Sequence, residues 1–292
     1  MKLKLAQRIA LKYYIAKFRM LSLVSPRTAA EAAFDLFCTP YSGRPKRKIP
    51  PVFERAEKLC FTFNTFQLKG WRWKPEQPTG RKILIVHGFD SCSYKFDRYI
   101  VPFLKLGLEV VTFDAQGHGL SGGKTINGLL YAQSILKAET LYGPFHCVMA
   151  HSLGGLAAAL AFEQLPEPEK RSLILLAPTT ETTTAINSFF AVVKVSARVQ
   201  KEFDSLIQEI GQQPVSYFSF KRIIQHIKSP VLWIHDEEDK VCPFEDTLPI
   251  QQMQLPHVEF FCTKGYGHNG IYRQNKVFKK VMEWIEAAQL EA

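Results

Sequence analysis

Short apolar runs alternate with helical stretches along most of this 292-residue chain, and that alternation limits the fold more than any other feature. The apolar runs cover residues 83–87, 110–113, 146–150, 173–177, 231–235 and 258–262. Helical patterns lie near residues 94–106, 127–141, 153–165, 244–253 and 274–289. The alternation predicts an α/β fold, with a mostly parallel central sheet, helices on both faces and an antiparallel edge hairpin at residues 60–68.

One interval breaks this rhythm. Residues 180–228 separate two predicted strands by about fifty positions, where about a dozen would be enough for a crossover. We therefore expect a helical cap at residues 180–228, inserted after the sixth strand between the core segments 51–179 and 229–292. Residues 1–50 form an N-terminal helical extension in this division.

The composition is that of an ordinary globular protein. Hydrophobic residues make up 46% of the chain, which excludes wholesale disorder and collagen-like repeats. No uncharged apolar run approaches the roughly 18 residues of a membrane-spanning helix. The six cysteines include no C-x-x-C pair, which argues against a zinc or redox motif and favours a reducing, cytoplasm-like compartment.

The positive charge is concentrated at the N-terminus. Residues 1–50 carry a net charge of +9 and the rest only +1, so nucleic-acid binding by the main domain is not expected. Residues 2–21 contain no acid and are typical of a basic amphipathic helix, and a second helix is predicted at residues 29–37. A proline-stiffened basic connector follows at residues 43–51.

Three interpretations of the first helix remain open. Its apolar face packs on the body of the same protein, or it makes peripheral contact with an anionic membrane or a partner, or it is an organelle-targeting segment.

A serine between a predicted strand and a predicted helix is the strongest local signal. The sequence around it is Ala150-His-Ser152-Leu153-Gly154-Gly155. Small-x-Ser-x-Gly at such a junction is typical of a nucleophile elbow, which needs small residues two positions either side of the serine. Ala150 stands where glycine is usual. The backbone N–H of Leu153 lies at a helix N-terminus, where it can stabilise an oxyanion.

Two other strand ends carry glycine-rich turns. The turn at residues 87–89 lets Phe89 direct its backbone N–H toward the serine as a second oxyanion donor. The next strand is followed by G-x-G-x-x-G at residues 117–122, a pattern also found in dinucleotide-binding loops. The nearest acid after it, Glu139, lies within a predicted helix instead of ending the next strand, so no nucleotide cofactor is expected.

A cluster of acids and a histidine follow the last two predicted strands. All four residues at 236–239, the last of which is Asp239, are acidic. The sequence of this turn alone does not show which of these acids orients a base. His268 lies in the glycine-flanked loop 265–270, which can bring it to a serine on another strand. The chain order of serine, acid and histidine is that of the α/β-hydrolase fold.

Five motifs in this order resemble α/β-hydrolase serine hydrolases of the monoacylglycerol-lipase and serine-aminopeptidase-like group. The motifs are ILIVHGFD, VVTFDAQGHGLSGG, VMAHSLGG, VLWIHDEEDKVCP and TKGYGHNG. The resemblance implies that Ser152 is the nucleophile and His268 the base. It implies Asp239 as the acid, because Asp239 precedes the x-x-Val-x-Pro-like turn of the family, and it leaves Asp236 as an alternative orienter.

The resemblance implies a hydrolase that needs no metal and no coenzyme. We expect it to cleave carboxylic esters through an acyl-enzyme. A cap of about fifty residues indicates a moderately enclosed pocket, which favours small to medium acyl groups. Phe189, Phe190 and Tyr217 in the cap are the expected acyl contacts, although an aromatic stripe also suits the core of the cap itself. Two alternatives stay open: a thioesterase, aminopeptidase or amidase with the same site residues, and a non-catalytic ligand-binding or membrane-surface module. The oligomeric state is not predicted.

Overall fold

The computed structural model of the protein describes residues 5–41 and 48–290. The first residues of the helix predicted at 2–21, and most of the connector predicted at 43–51, lie outside them. The strands are β1 (Glu57–Phe63), β2 (Phe66–Trp73), β3 (Lys82–Val86), β4 (Glu109–Phe113), β5 (Cys147–His151), β6 (Ser172–Leu176), β7 (Val231–Asp236) and β8 (Val258–Thr263).

The α-helices of the described residues follow the same chain order. They are α1 (Leu5–Val24), α2 (Pro26–Phe37), α3 (Pro51–Glu54), α4 (Asp97–Lys105), α5 (Gly128–Tyr142), α6 (Leu153–Phe162), α7 (Thr182–Val193), α8 (Ala197–Gly211), α9 (Phe220–Ile223), α10 (Leu248–Gln251), α11 (Gly267–Gly270) and α12 (Asn275–Leu290). None of these described helices is long and apolar enough to cross a membrane.

The eight strands form one sheet in the order β1-β2-β4-β3-β5-β6-β7-β8. The edge hairpin β1–β2 is antiparallel and joins β4 in antiparallel fashion, while every other neighbouring pair is parallel. The mostly parallel sheet predicted from the alternation is therefore confirmed. The carboxyl ends of β3, β5, β7 and β8 lie on the same side of the sheet. The loops of the candidate site follow these strand ends.

Alternate side chains of each buried strand point to opposite faces of the sheet, and helices cover both faces. On one face Ile85 and Met149 belong to a core that includes Tyr99 of α4 and Val281 of α12. On the other face, the ring of Phe113 lies 6.1 Å from that of Tyr131 in α5. On the same face, nearer to β8, the ring of Trp233 in β7 lies 4.7 Å from that of Phe220 in α9. Both faces of the central strands are therefore buried, as an α/β sheet requires.

Two compact units divide the chain. One consists of the N-terminal residues through Thr39 together with Glu181–Ser219, and the other contains the sheet and its helices. In the smaller unit Phe203 of α8 is fully buried, and its ring lies 5.5 Å from Phe34 of α2 and 5.0 Å from Phe190 of α7. The helices inserted after β6 thus share an aromatic core with the N-terminal helices.

Helix α2 begins three residues earlier than the sequence pattern predicts. The side-chain oxygen of Ser25 accepts a hydrogen bond from the backbone N–H of Thr28 at 3.2 Å, and Pro26 occupies the first helical position. Serine as an N-cap followed by proline is a favoured helix start, because proline has no N–H to leave unpaired. The apolar pattern begins only at Ala29, which is why periodicity alone placed the start too late.

Candidate active site

Ser152 occupies a strained turn between β5 and α6. Its φ is +54° and its ψ is −125°, a conformation that non-glycine residues rarely adopt. A Cβ atom at Gly154 would overlap the carbonyl oxygen of His87, and one at Gly155 would lie 2.7 Å from the Cβ of Pro178. The two glycines therefore let α6 pack closely against its neighbours, and Ala150, which is fully buried in β5, is still small enough for this turn.

Three side chains from separate loops form one hydrogen-bonded chain. The Oγ of Ser152 lies 2.9 Å from the Nε2 of His268, and the Nδ1 of His268 lies 2.7 Å from an Oδ of Asp239. All three residues are buried. In this arrangement Nδ1 of the imidazole carries the proton toward Asp239, which leaves Nε2 free to accept the serine proton. The structure thus brings together the serine, histidine and acid selected from the sequence.

Asp239 is itself held by the turn that follows it. Its other carboxylate oxygen accepts hydrogen bonds from the backbone N–H groups of Val241 at 2.8 Å and Cys242 at 2.9 Å. The ring of His235 supports the same turn, because its Nε2 lies 2.9 Å from the carbonyl oxygen of Cys242. The carboxylate is therefore fixed on one side by the backbone and faces His268 with the other.

Asp236 has a different role from Asp239. Its carboxylate accepts hydrogen bonds from the Thr263 hydroxyl at 2.8 Å and from the backbone N–H groups of Tyr266 and Gly267 at 3.0 Å each. Burial raises the pKa of Asp236, but these hydrogen bonds outweigh burial and lower its pKa overall. Asp236 thus anchors the loop that carries His268 and makes no hydrogen bond to the imidazole in the described structure.

The pKa of His268 is raised to about 9. Burial acts in the opposite direction, since it disfavours the imidazolium, but the hydrogen bond to Asp239 and the interactions with Cys242 outweigh it. A neighbouring carboxylate stabilises the charged ring in the same way that it would during proton transfer.

A second buried histidine lies next to the first. The ring of His151 is 4.8 Å from that of His268, and its Nε2 lies 3.2 Å from the backbone oxygen of His268. Burial lowers the pKa of His151 well below its ordinary value, so the ring is neutral. The sequence analysis did not single out His151, although its position directly before Ser152 was a signal that it lies at the site.

The predicted oxyanion donors belong to two segments that meet at Ser152. A Cβ atom at Gly88 would lie only 2.8 Å from the Cβ of Ser152, so the backbone that leads to Phe89 contacts the serine turn. Leu153 is the first residue of α6, and the N–H groups of a first turn have no partner within their own helix. The backbone N–H of Asp90 donates to Nε2 of His118 at 3.0 Å, which holds the end of the Phe89 turn.

The G-x-G-x-x-G segment serves the loop after β4. A Cβ atom at Gly119 would overlap the carboxylate of Asp114, and Gly119 has a φ of +50°. The buried Asp114 carboxylate accepts hydrogen bonds from the backbone N–H groups of Ser93 and Leu120. Gly119 therefore permits close packing on Asp114, and no helix opens at the third glycine, Gly122.

The three aromatic residues predicted to contact an acyl group lie in the smaller unit. Phe190 is buried against Phe203, while the half-buried ring of Phe189 lies 5.2 Å from that of Phe37. The ring of Tyr217 lies 5.4 Å from that of Phe218. Their contact with a substrate stays a prediction. Over residues 5–41 and 48–290, no group of three or more histidine, cysteine, aspartate or glutamate side chains could hold a metal ion.

Comparison with known proteins agrees with this fold. Residues 77–214 match the serine aminopeptidase S33 family, Hydrolase_4. The Pyrococcus furiosus esterase Pf2001 superposes with a TM-score of 0.61 over 84% of this chain and 98% of its own, at 19% identity, and so shares the fold. The chain therefore has the α/β-hydrolase fold, and its residues 77–214 match a serine aminopeptidase S33 domain, as the five motifs predicted.

Two relatives are similar to this chain in sequence over most of its length. The uncharacterized protein YqkD of Bacillus subtilis is 24% identical over 259 residues, which cover 80% of this chain and 81% of YqkD. Lysophosphatidylserine lipase ABHD12 of Macaca fascicularis is 28% identical over 230 residues, which cover 72% of this chain and 56% of the lipase. The chain thus matches only about half of the lipase.

Proposed function

We propose that this protein is a serine hydrolase that cleaves carboxylic esters of small to medium acyl groups. The observation that carries the proposal is the hydrogen-bonded chain from Ser152 through His268 to Asp239 at the carboxyl edge of the sheet. A serine whose hydroxyl faces a histidine, which in turn faces a buried carboxylate, is the arrangement needed to activate an alcohol as a nucleophile. The esterase Pf2001 and the lysophosphatidylserine lipase ABHD12, which are both similar to this chain, support the same class of substrate.

In the proposed reaction, Nε2 of His268 takes the Ser152 proton as Oγ attacks the ester carbonyl. Asp239 keeps the proton of the imidazole on Nδ1 and stabilises the imidazolium that forms. The backbone N–H groups of Phe89 and Leu153 donate to the developing oxyanion, each contributing about 3–4 kcal/mol. His268 then gives its proton to the leaving alcohol, and water releases the acyl group from Ser152 with the same residue as base.

Hydrolysis of p-nitrophenyl esters of increasing chain length tests this proposal. We expect Ser152→Ala to lose about 10⁴-fold or more in kcat/KM. Ser172→Ala is a matched control, because Ser172 begins β6 and its hydroxyl bonds the backbone of His146. The control should hydrolyse the esters like the wild type. Ester hydrolysis by Ser152→Ala at the wild-type rate would rule the proposal out.

The type of bond is a finer question, because thioesters and amides react through the same site residues. Esters, acyl-thioesters and aminoacyl amides with the same acyl group should be compared at one concentration. We expect the highest kcat/KM for the ester. A preference of more than about tenfold for the amide would instead favour the aminopeptidase activity for which the matched family is named.

We also propose that the protein works in a reducing, cytoplasm-like compartment. All six cysteines lie in the described part of the chain, and none of them forms a disulfide there. Mass determination with and without a thiol-blocking reagent, on protein purified without reductant, should show six reactive thiols after unfolding. A mass that reveals a disulfide would contradict this location.

A further inference from the structure

Helix α1 packs on its own unit with only one side. Phe18 is the buried residue of the helix, and its ring lies 5.9 Å from that of Tyr14 one turn earlier. Leu11 and Ile15 are half-buried, and helical geometry places them on the same side as Phe18. This side accounts for the contact of α1 with α2 and α7 of its unit.

The opposite side of α1 presents large apolar side chains to solvent. Their exposed fractions are 72% for Leu5, 61% for Ile9, 61% for Tyr13, 70% for Met20, 84% for Leu23 and 88% for Val24. A helix of 20 residues is about 30 Å long, so these residues form an apolar strip along the whole element. Contiguous exposed strips of this kind mark surfaces that are covered by a partner or a membrane.

The charges beside the apolar strip indicate whether a protein partner or a membrane covers it. Arg8, Lys12 and Arg19 lie along one edge of the exposed side and Lys17 along the other, by the angular spacing of an α-helix. The helix contains no acidic residue. Lysine and arginine bury their apolar stems and extend their charged ends, so both edges can reach anionic headgroups while the strip between them enters the acyl region. A protein partner of mixed charge would not need basic residues on both edges and no acid between them.

We propose that α1 docks this protein on an anionic phospholipid bilayer, lying in the plane of the membrane surface with Ile9, Tyr13 and Met20 toward the acyl chains. The side of α1 that contains Phe18 stays packed on its own unit during docking, so no unfolding of the helix is needed. The docking goes beyond ester hydrolysis and does not depend on it.

Vesicle co-sedimentation of the full chain tests the docking. One set of vesicles contains phosphatidylcholine alone, and the other contains about a third phosphatidylglycerol. We expect the wild type to bind the anionic vesicles and to bind phosphatidylcholine at least about tenfold more weakly. The variant Ile9→Glu/Tyr13→Glu/Met20→Glu should lose at least about tenfold in binding to the anionic vesicles.

The matched control is Val101→Glu/Leu141→Glu/Leu248→Glu. These three residues are exposed apolar side chains of α4, α5 and α10, and the control changes the net charge by the same amount. It should bind the anionic vesicles like the wild type. All six substituted side chains are exposed, and circular dichroism should show that both variants remain folded.

Two further variants test whether the basic side chains of α1 and the catalytic serine contribute to vesicle binding. Arg8→Gln/Lys12→Gln/Lys17→Gln/Arg19→Gln should weaken binding to anionic vesicles at least about tenfold, and added salt should have the same effect on the wild type. Ser152→Ala should bind like the wild type, so a failure of the proposed hydrolysis would leave the docking intact.

Several outcomes would overturn the docking. Equal binding by the two glutamate triple variants would show that α1 is not the contact. Equal binding of the wild type to both kinds of vesicle would contradict the role of charge. A wild type that forms a dimer, loses it in the Ile9→Glu/Tyr13→Glu/Met20→Glu variant and binds no vesicle would assign the strip to a second copy of the chain.

Discussion

At the scale of single residues, Asp239 and its acidic neighbours differ in what they touch. Asp239 faces His268, whereas Glu237 and Glu238 are exposed at the same turn. We expect Asp239→Asn to lower kcat/KM for an ester by about 10³–10⁴-fold, because the amide favours the wrong imidazole tautomer and stabilises no imidazolium. Glu238→Gln, the matched control, should leave kcat/KM unchanged. Similar losses in both variants would show that the charge of the turn matters and not the contact with His268.

The raised pKa of His268 predicts how activity depends on pH. Only the neutral imidazole can accept the serine proton, so kcat/KM for an ester should rise with pH through an apparent pKa between 6.5 and about 9. Because the pKa of His268 is higher in the folded state than in the unfolded state, protonation of His268 stabilises the folded protein. This contribution to the free energy of unfolding is complete below pH 6.5 and is lost as the pH rises through about 9. A pH–rate profile with an apparent pKa at or below 6.5 would contradict the raised pKa of His268.

At the scale of elements, the loop before α11 depends on Asp236. Asp236→Ala removes the acceptor of the Thr263 hydroxyl and of the Tyr266 and Gly267 N–H groups. We expect the free energy of unfolding to fall by about 1–3 kcal/mol and kcat/KM to fall by about 10²-fold, as the loop loses its position. Thr263→Val removes one of these bonds and should have a smaller effect on both quantities. Unchanged values in Asp236→Ala would show that the loop is held by other contacts.

The turn between β5 and α6 should tolerate no extra methyl at Gly154. We expect Gly154→Ala to lower the free energy of unfolding by about 1–3 kcal/mol or more, because its Cβ overlaps the carbonyl oxygen of His87. In Gly128→Ala, at the start of α5, the nearest atom to the new methyl is 3.6 Å away, so this control should be neutral or slightly stabilising. Denaturant unfolding of both variants measures the difference, and equal midpoints would contradict the packing described for this turn.

At the scale of the whole molecule, the smaller unit rests on contacts between distant parts of the chain. Phe203 is fully buried and touches Phe34 and Phe37 of α2 as well as Phe190 of α7. We expect Phe203→Ala to lower the free energy of unfolding of this unit by about 3–5 kcal/mol. Phe66→Ala is the control, because Phe66 is 36% exposed at the edge hairpin. Chemical denaturation should separate the two variants, and similar stabilities would show that the aromatic core contributes little.

The sequence predicted the sheet and the helices on both faces because alternation of strand and helix is a local pattern. It predicted Ser152 and His268 because each stands in a distinctive turn after a strand. The choice of Asp239 over Asp236 came from the resemblance alone, since Asp236 ends β7, Asp239 lies three residues later, and only hydrogen bonds separate their roles. The shared core of α2 and α8, and the outward apolar side of α1, depend on long-range packing that no local spacing encodes.

The central claim is that Ser152 is an activated nucleophile, and labelling with a fluorophosphonate probe tests it most directly. The probe reacts with a serine whose proton a neighbouring base accepts as its hydroxyl oxygen attacks phosphorus and fluoride leaves. Intact mass should show one adduct on the wild type, one on Ser172→Ala and none on Ser152→Ala. A folded wild type that gains no adduct, or an adduct that persists in Ser152→Ala, would contradict the account.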